Sequence, residues 1–118
     1  MLLFNLNSLD SFENLTGWLN SIKESGTENM PLIIVGTKCD LESNVSEEMI
    51  QKFVNENILI NKYFKCSAKN EIGVEEPFLE LANLVIEFNQ RKNKNIKKEK
   101  MKIEKKKCKG KKAKRKCC

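Results

Sequence analysis

The stretch "PLIIVGTKCDLE", residues 31–42, decides the fold that the rest of the sequence supports. Residues 32–35 form an unbroken apolar run, which is typical of a strand that is buried on both faces of a sheet. A glycine follows at once, and the next four residues bring a hydroxyl, an ammonium and a carboxylate at Thr37, Lys38 and Asp40. In sheets of parallel strands flanked by helices, ligands bind beyond the carboxyl ends of the strands. We therefore interpret this stretch as a buried strand that ends in a ligand-binding loop.

Two further strands are expected, over residues 2–6 and 63–66, because both are short and largely apolar. Segments with the apolar spacing of helices lie between the strands. This alternation predicts parallel β-α-β units with right-handed crossovers. The carboxyl ends of parallel strands meet at one edge of the sheet, so residues 67–69 should lie beside residues 37–40 on a common rim.

Three helices are predicted from caps and apolar spacing. The first begins with Asp10 or Ser11 as its cap, the second with Ser46, and the third near Val74 with Pro77 in its first turn. The apolar residues expected to pack against the sheet are Phe12, Leu15, Trp18, Leu19 and Ile22 in the first helix, Met49, Ile50, Phe53 and Val54 in the second, and Phe78, Leu81, Ala82, Val85 and Ile86 in the third.

The chain consists of two parts of opposite charge. Residues 1–90 hold 6 Lys and Arg against 14 Asp and Glu, whereas residues 91–118 hold 16 against 2, and the net charge is +6. The second part has so few apolar residues that it cannot bury enough surface to offset its ordering entropy. We therefore expect an α/β domain over residues 1–90 and a disordered Lys-rich C-terminal tail over residues 91–118.

The cysteine pattern is typical of an intracellular protein. The chain has five cysteines, no histidine and no C-x-x-C pair, which argues against a zinc site. Their odd number and the lack of a secretory signal argue against a disulfide framework. No apolar run approaches the ~20 residues of a membrane span. We therefore expect a cytoplasmic protein in which Cys39 and Cys66 are small packing residues.

The polar residues of the predicted rim suit the recognition of a guanine base. The carboxylate of Asp40 can accept two parallel hydrogen bonds from adjacent N–H donors, a pair that guanine has on its Watson–Crick edge and adenine lacks. The stem of Lys38 can lie over the face of the ring, and the hydroxyl of Thr37 can join neighbouring loops. From the other strand end, the backbone N–H of Ala68 can donate to a carbonyl oxygen of the base.

Four stretches of the sequence together resemble the Rab-type small GTPases of the Ras superfamily. They are "DSFENLTGWL" (10–19), "PLIIVGTKCDL" (31–41), "YFKCSAKNEIGVEEPFLELA" (63–82) and the terminal "CC". The Asn/Thr-Lys-x-Asp and Ser-Ala-Lys motifs of that family imply six residues that bind the guanine of GTP or GDP: Thr37, Lys38, Asp40, Ser67, Ala68 and Lys69. The resemblance also implies geranylgeranylation of Cys117 and Cys118.

The resemblance begins within the fourth of the six strands of the family. We therefore expect an incomplete P-loop-GTPase-like (Ras-like) domain with three parallel strands and flanking helices. The G-x-x-x-x-G-K-[ST] phosphate loop and the two switch segments, which hold the magnesium ion and the attacking water, are not recognisable. We expect base recognition with weak or absent binding of the whole nucleotide, no GTP hydrolysis and no catalytic residues. Magnesium would be held only if the other half of the domain were present.

The basic tail and the terminal cysteines favour a lipid anchor. Each Lys near an anionic leaflet contributes ~1 kcal/mol, and each buried CH₂ of a prenyl chain adds ~0.8 kcal/mol. The 16 basic residues could instead bind nucleic acid through its phosphates. That alternative lacks interleaved aromatic residues for base stacking and does not explain Cys117 and Cys118. Cys108 is a weaker candidate for acylation.

These features favour a Rab-like switch of vesicle traffic that lies on the cytosolic face of membranes. We expect a monomer whose partners are an anionic membrane surface and the prenylation escort machinery, with no specific nucleic acid. Two other classes of function stay open. One is a non-enzymatic prenylated interaction protein or a degenerate gene product, and the other is a nucleic-acid binder that acts through the basic tail.

Overall fold

The computed structural model describes residues 1–27 and 29–116, with side chains up to residue 104. The elements of this part of the chain are, in order, β1 (Leu2–Asn5), α1 (Leu9–Glu13), α2 (Leu15–Glu24), β2 (Ile33–Thr37), α3 (Glu47–Glu56), β3 (Lys62–Lys65) and α4 (Glu75–Lys116). The order of strands and helices confirms the predicted α/β class.

The described strands form one parallel sheet in the order β1-β2-β3, so β2 is central. Leu2 of β1 aligns with Ile34 of β2, and Ile34 aligns in turn with Tyr63 of β3. Four of the five residues of β2 are buried. The predicted three-stranded parallel sheet is confirmed, and its carboxyl ends form one rim.

One face of the sheet packs against α1, α2 and α3. An apolar cluster on this face joins the three strands to the three helices. The strands contribute Phe4, Ile34 and Tyr63, and the helices contribute Phe12, Leu19 and Ile50. The ring centroids of Phe4 and Phe12 lie 5.3 Å apart. Because each fully buried apolar side chain contributes about 1.5–3 kcal/mol, this cluster holds the strands in the register that positions their carboxyl ends.

The first helix begins earlier than predicted and is interrupted. Ser8, and not Asp10 or Ser11, is the N-cap of α1, and its hydroxyl accepts a hydrogen bond from the N–H of Ser11 at 3.4 Å. The hydroxyl of Ser11 bonds the backbone of Asn5 on β1 instead. Asn14 ends α1 and is also the N-cap of α2, so the predicted single helix is in fact two.

The second predicted helix, α3, begins at its predicted cap. The hydroxyl of Ser46 accepts a hydrogen bond from the N–H of Met49 at 3.3 Å. Glu47 and Glu48 lie in the first turn, where the helix dipole favours negative charge. Met49 itself is 40% exposed, contrary to the prediction, because the neighbouring Ile50 occupies the buried position.

Two predicted anchors of helices are exposed at the surface. Trp18 is 61% exposed, because Leu15 and Leu19 take the buried positions of α2. In α4, Phe78 is also 61% exposed, Leu81 is half-buried, and the other predicted packing residues are exposed: Ala82, Val85 and Ile86.

The last helix extends through the region for which the sequence predicts disorder. α4 ends at Lys116 and so includes most of the Lys-rich tail. Lys and Glu are good helix formers, and residues 91–116 contain no proline and only one glycine, Gly110. The disorder expected over residues 91–118 from the lack of apolar residues stays a prediction.

The chain divides into two compact units, Met1–Val85 and Ile86–Cys118, whereas the sequence places the division after residue 90. The first unit contains the sheet, and the described part of the second unit is the basic portion of α4. Cys117 and Cys118 lie outside the described residues. None of the described helices has a segment apolar and long enough to cross a bilayer.

Candidate functional site

The loops that follow β2 and β3 are joined by backbone hydrogen bonds at the carboxyl rim. The N–H of Cys66 donates to the carbonyl oxygen of Gly36 at 2.9 Å, and the N–H of Cys39 donates to the carbonyl oxygen of Cys66 at 3.0 Å. These bonds continue the sheet ladder beyond the ends of both strands. The predicted meeting of the two loops is thereby confirmed.

Lys38 is an extra residue in this ladder. In a regular parallel ladder the carbonyl of Cys66 would accept from residue 38, but here it accepts from Cys39. Lys38 therefore takes no part in the ladder, and its backbone adopts the left-handed conformation, with φ of 59°. A non-glycine residue held there costs about 1–2 kcal/mol, and such strain is concentrated at ligand sites. The bulge turns the chain so that Asp40 follows at the rim.

A buried hydroxyl holds the carboxylate of Asp40. The hydroxyl of Ser67 donates to Oδ1 of Asp40 at 2.6 Å, and Ser67 is fully buried. The N–H of Asn70 donates to the same hydroxyl oxygen at 3.3 Å, which fixes its orientation. The hydrogen bond from Ser67 is the main cause that lowers the pKa of Asp40, and the charges of Lys69 and Lys38 act in the same direction. Asp40 is therefore an oriented, ionised acceptor at neutral pH.

Thr37 ties the rim to β1. The hydroxyl of Thr37 donates to the carbonyl oxygen of Phe4 at 3.0 Å, and the carbonyl oxygen of Thr37 accepts from the N–H of Leu6 at 3.1 Å. The sequence predicts a role for Thr37 in joining neighbouring segments, and the structure shows which segment it joins. The loops after β1, β2 and β3 are thus connected through backbone groups.

An open cavity of about 620 Å³ lies at this rim, within the size range of ligand sites. Five of the six predicted base-binding residues line it: Thr37, Lys38, Asp40, Ala68 and Lys69. Ser67 does not line the cavity and acts beneath it by positioning Asp40. The six residues are therefore brought together, five at the surface of the cavity and one below it.

The cavity has an apolar wall that sequence reasoning did not assign to the site. Leu41 continues the loop after Asp40. The rest of the wall comes from β1, β2, α4 and residues next to these elements and β3: Met1, Leu3, Val35, Cys66, Val74, Pro77 and Phe78. Leu41 could have been assigned to the site from the sequence, because it directly follows Asp40 of the Thr-Lys-x-Asp motif. Burial raises the pKa of the Cys66 thiol, which agrees with its interpretation as a packing residue. Cys39 likewise packs against the apolar core.

Gly73 shapes the loop that carries Ser67. Ser67 and Ile72 exchange two backbone hydrogen bonds of 2.9 and 3.0 Å, which close the loop between them. Gly73 then turns the chain with φ of +62°, and a Cβ atom there would lie 2.5 Å from the backbone oxygen of Lys65. This position needs glycine for both its dihedral angle and its close contact.

We expect Gly73→Ala to lower the free energy of unfolding by about 2–3 kcal/mol, because it adds a backbone clash to an unfavourable dihedral angle. The matched control is Gly26→Ala, which has φ of +69° but nothing within 4 Å of the added Cβ atom. We expect about 1 kcal/mol from this control. Urea denaturation of both variants measures the difference. Equal losses would contradict the contribution of the contact with Lys65.

Comparison with known proteins gives the class of this protein. The sequence profile described as the Ras family matches residues 1–87, which include β1, β2, β3 and all six predicted base-binding residues. The match covers well over half of the chain. The chain therefore belongs to the Ras family of small GTPases.

Within that family the similar proteins are of Rab type. Ras-related protein Rab-13 of Bos taurus is 32% identical over 98 residues, covering 80% of this chain and 47% of that protein. RabH of Dictyostelium discoideum is 34% identical over 101 residues, covering 80% and 50%. RABD2c of Arabidopsis thaliana is 40% identical over 78 residues, covering 64% and 38%. The chain thus spans half or less of the length of these relatives.

Proposed function

We propose that the carboxyl rim of this chain recognises the base of a guanine nucleotide, GTP or GDP. The observation that carries the proposal is the Asp40 carboxylate, which a buried Ser67 hydroxyl holds at 2.6 Å beside an open cavity. An oriented carboxylate accepts a pair of N–H donors, and guanine offers that pair. Adenine presents an acceptor at the ring nitrogen of the same edge, so it would leave the carboxylate without a partner.

The other cavity residues fit the remaining parts of a guanine base. Ala68 lines the cavity from the loop after β3, and its small side chain leaves room for its backbone N–H to donate to the carbonyl oxygen of the base. The exposed side chain of Lys38 starts from the bulge at the rim and can cover one face of the ring. Apolar surface beside Leu41 completes a site in which a flat ring loses contact with water.

We limit the proposal to recognition of the base. Among the described side chains, those of residues 1–27 and 29–104, no group of three or more His, Cys, Asp or Glu could hold a metal ion. Mg²⁺ in nucleotide sites is commonly held by one or two carboxylates together with the phosphates, and we assign no step to it. The proposed activity is recognition of the base, and the role in vesicle traffic that the resemblance to Rab-type small GTPases implies belongs to this proposal.

We expect the purified full chain to bind GTP far more weakly than Rab-13 of Bos taurus and not to turn it over, because base contacts alone must supply the affinity. Calorimetry and phosphate release measure both properties. Guanosine should shift the amide NMR signals of Ala68 and Lys69, and adenosine is the matched control ligand. Micromolar binding of GTP by the monomeric chain would contradict a base-only site, and equal shifts with adenosine would contradict base recognition.

We also propose that the second unit attaches the chain to membranes as a peripheral, lipid-anchored protein. The supporting observations are the 16 basic residues of the tail, the terminal pair Cys117 and Cys118, and the Rab-type relatives. An anionic membrane surface is the partner that this charge favours.

A further inference from the structure

The helix of the second unit has no packing partner among the described residues. From residue 89 to residue 104 every side chain of α4 is exposed. Most of the stability of a helix in a protein comes from packing one of its faces against other structure, and isolated helices are marginal in water. This part of α4 therefore lacks the contact that normally stabilises a helix.

One side of this helix carries a line of apolar residues. At about 3.6 residues per turn, Phe88, Ile96 and Ile103 lie within about 80° of one another around the helix axis. Ile96 and Ile103 are 46% and 55% exposed, and Phe88 is half-buried. We call the line that residues 88, 92, 96, 99 and 103 form on this side the tail stripe.

Two residues of opposite charge complete the tail stripe. Lys92 lies beside Phe88, with its Nζ 5.4 Å from the centre of the ring. Glu99 lies on the same side of the helix and, among the described side chains, takes part in no ion pair. The two charged residues are about 10 Å apart along the helix axis, too far to pair with each other. A surface that matches the tail stripe therefore offers a carboxylate beside Lys92 and an ammonium beside Glu99.

The tail stripe is complementary to a second copy of itself that runs in the opposite direction. In such a pair, with a two-fold axis at the middle of residues 88–103, Phe88 of each copy faces Ile103 of the other. By the same symmetry Lys92 of each copy faces Glu99 of the other, so both charges find a partner. An interface of this kind uses the same patch on both copies and closes as a dimer.

We propose that the second unit forms an antiparallel helix dimer through the tail stripe. A parallel dimer would place Lys92 against Lys92 and Glu99 against Glu99, and like charges that face each other oppose association. Polar residues within an apolar seam set the register of paired helices. The dimer would replace the monomer expected from the sequence, and it depends on neither the proposed base site nor the lipid anchor.

The charge of the segment sets the conditions under which the dimer forms. Residues 86–104 hold 7 Lys and Arg against 3 Glu, so the two copies repel each other outside the tail stripe. Salt screens repulsion between exposed charges and leaves apolar contacts in place. The dimer should therefore form more readily at moderate salt than at low salt, whereas attraction to an anionic membrane weakens as salt is added.

Analytical ultracentrifugation of the full 118-residue chain, without nucleotide or lipid and in about 0.3 M salt, should show an equilibrium between monomer and dimer. The helical circular dichroism signal should rise with protein concentration over the same range, because pairing stabilises the helix. A chain that stays monomeric at millimolar concentration would overturn the proposal.

Two variants locate the interface on the helix. Ile96→Glu places a charge next to the two-fold axis in both copies, and it should weaken the dimer by about 30-fold or more, as for central interface residues. Met101→Glu is the matched control, because Met101 is 62% exposed on the opposite side of the helix and should leave the dimer unchanged. Glu is a good helix former at both positions. A dimer that survives Ile96→Glu, or that Met101→Glu weakens equally, is held by another surface and would overturn the proposal.

Exchange of the two charges tests the direction of the helices. Lys92→Glu and Glu99→Lys should each weaken the dimer by about tenfold, because like charges then face each other at two symmetric places. The variant with both substitutions restores opposite charges in an antiparallel pair, and its affinity should return to within about twofold of the original. Both positions are exposed, so the first unit should unfold in urea as it does in the unchanged chain. Failure of the double exchange to restore the dimer would overturn the antiparallel assignment.

Discussion

Replacing Asp40 by Asn should change the base preference of the rim from guanine to xanthine by about 100-fold or more, because buried polar groups left unpaired discriminate strongly between ligands. The Ser67 hydroxyl holds Oδ1 at 2.6 Å, so the new amide nitrogen should take the place of the other oxygen. That nitrogen is a donor, and the amino group of guanine would face it donor to donor. Xanthine has a carbonyl oxygen at this position and would accept the hydrogen bond.

The measurement compares GTP and XTP by calorimetry. It is made on the chain joined to the part of Rab-13 of Bos taurus that the match leaves uncovered, about 53% of that protein, because we expect this part to restore tight binding of the whole nucleotide. The matched control is Glu42→Gln, which removes a carboxylate two residues further along, outside the lining of the cavity. The control should keep the preference for GTP. An unchanged ratio of the two affinities in Asp40→Asn would mean that Asp40 does not read the base.

The second large effect concerns the terminal cysteines. A reporter that carries residues 91–118 should stay on membranes through a high-salt wash, whereas Cys117→Ser/Cys118→Ser should be released almost completely. Salt screens the attraction between the lysines and anionic lipid. It does not weaken the lipid term, which amounts to ~0.8 kcal/mol for each buried CH₂. Fractionation in cells with intact prenylation machinery measures the difference.

Cys108→Ser is the matched control for this experiment, since it removes the third cysteine of the tail and should leave the reporter on membranes. Retention of the double variant through the wash would contradict the lipid anchor. In the full chain, the resemblance implies that prenylation needs an escort protein that binds the folded domain, and this stays a prediction. Mass spectrometry of the full-length product therefore decides whether Cys117 and Cys118 carry two isoprenoids, one or none.

The sequence alone was sufficient for the sheet and for the meeting of two loops at its carboxyl rim. The apolar run at residues 32–35 and the alternation of helical and strand segments depend on local spacing, which tertiary packing preserved. Because ligands bind at the carboxyl ends of parallel strands, residues 37–40 and 67–69 could be predicted to lie close together. Ser46 was identifiable as a cap because capping involves residues only three positions apart.

Features that depend on neighbours distant in sequence were not predictable in this way. Ser67 was expected to touch the base, but burial and the hydrogen bond to Asp40 make it a positioning residue. Lys38 adopts its left-handed conformation because the backbone N–H of Cys39 donates a hydrogen bond to the carbonyl oxygen of Cys66. These two residues are 27 positions apart in the chain. No local pattern records which backbone groups meet across two strands.

The sequence by itself determined the parallel sheet, the rim and the residue types that meet there, since these follow from spacing along the chain. Only the tertiary structure decided which apolar side chains are buried. Trp18 and Phe78 have the spacing of packing residues, yet both are 61% exposed. Burial needs an opposing surface as well as an apolar side chain, and in α2 Leu15 and Leu19 occupy the positions that face the core. Helical periodicity marks several neighbouring apolar positions and does not record which of them meet that surface.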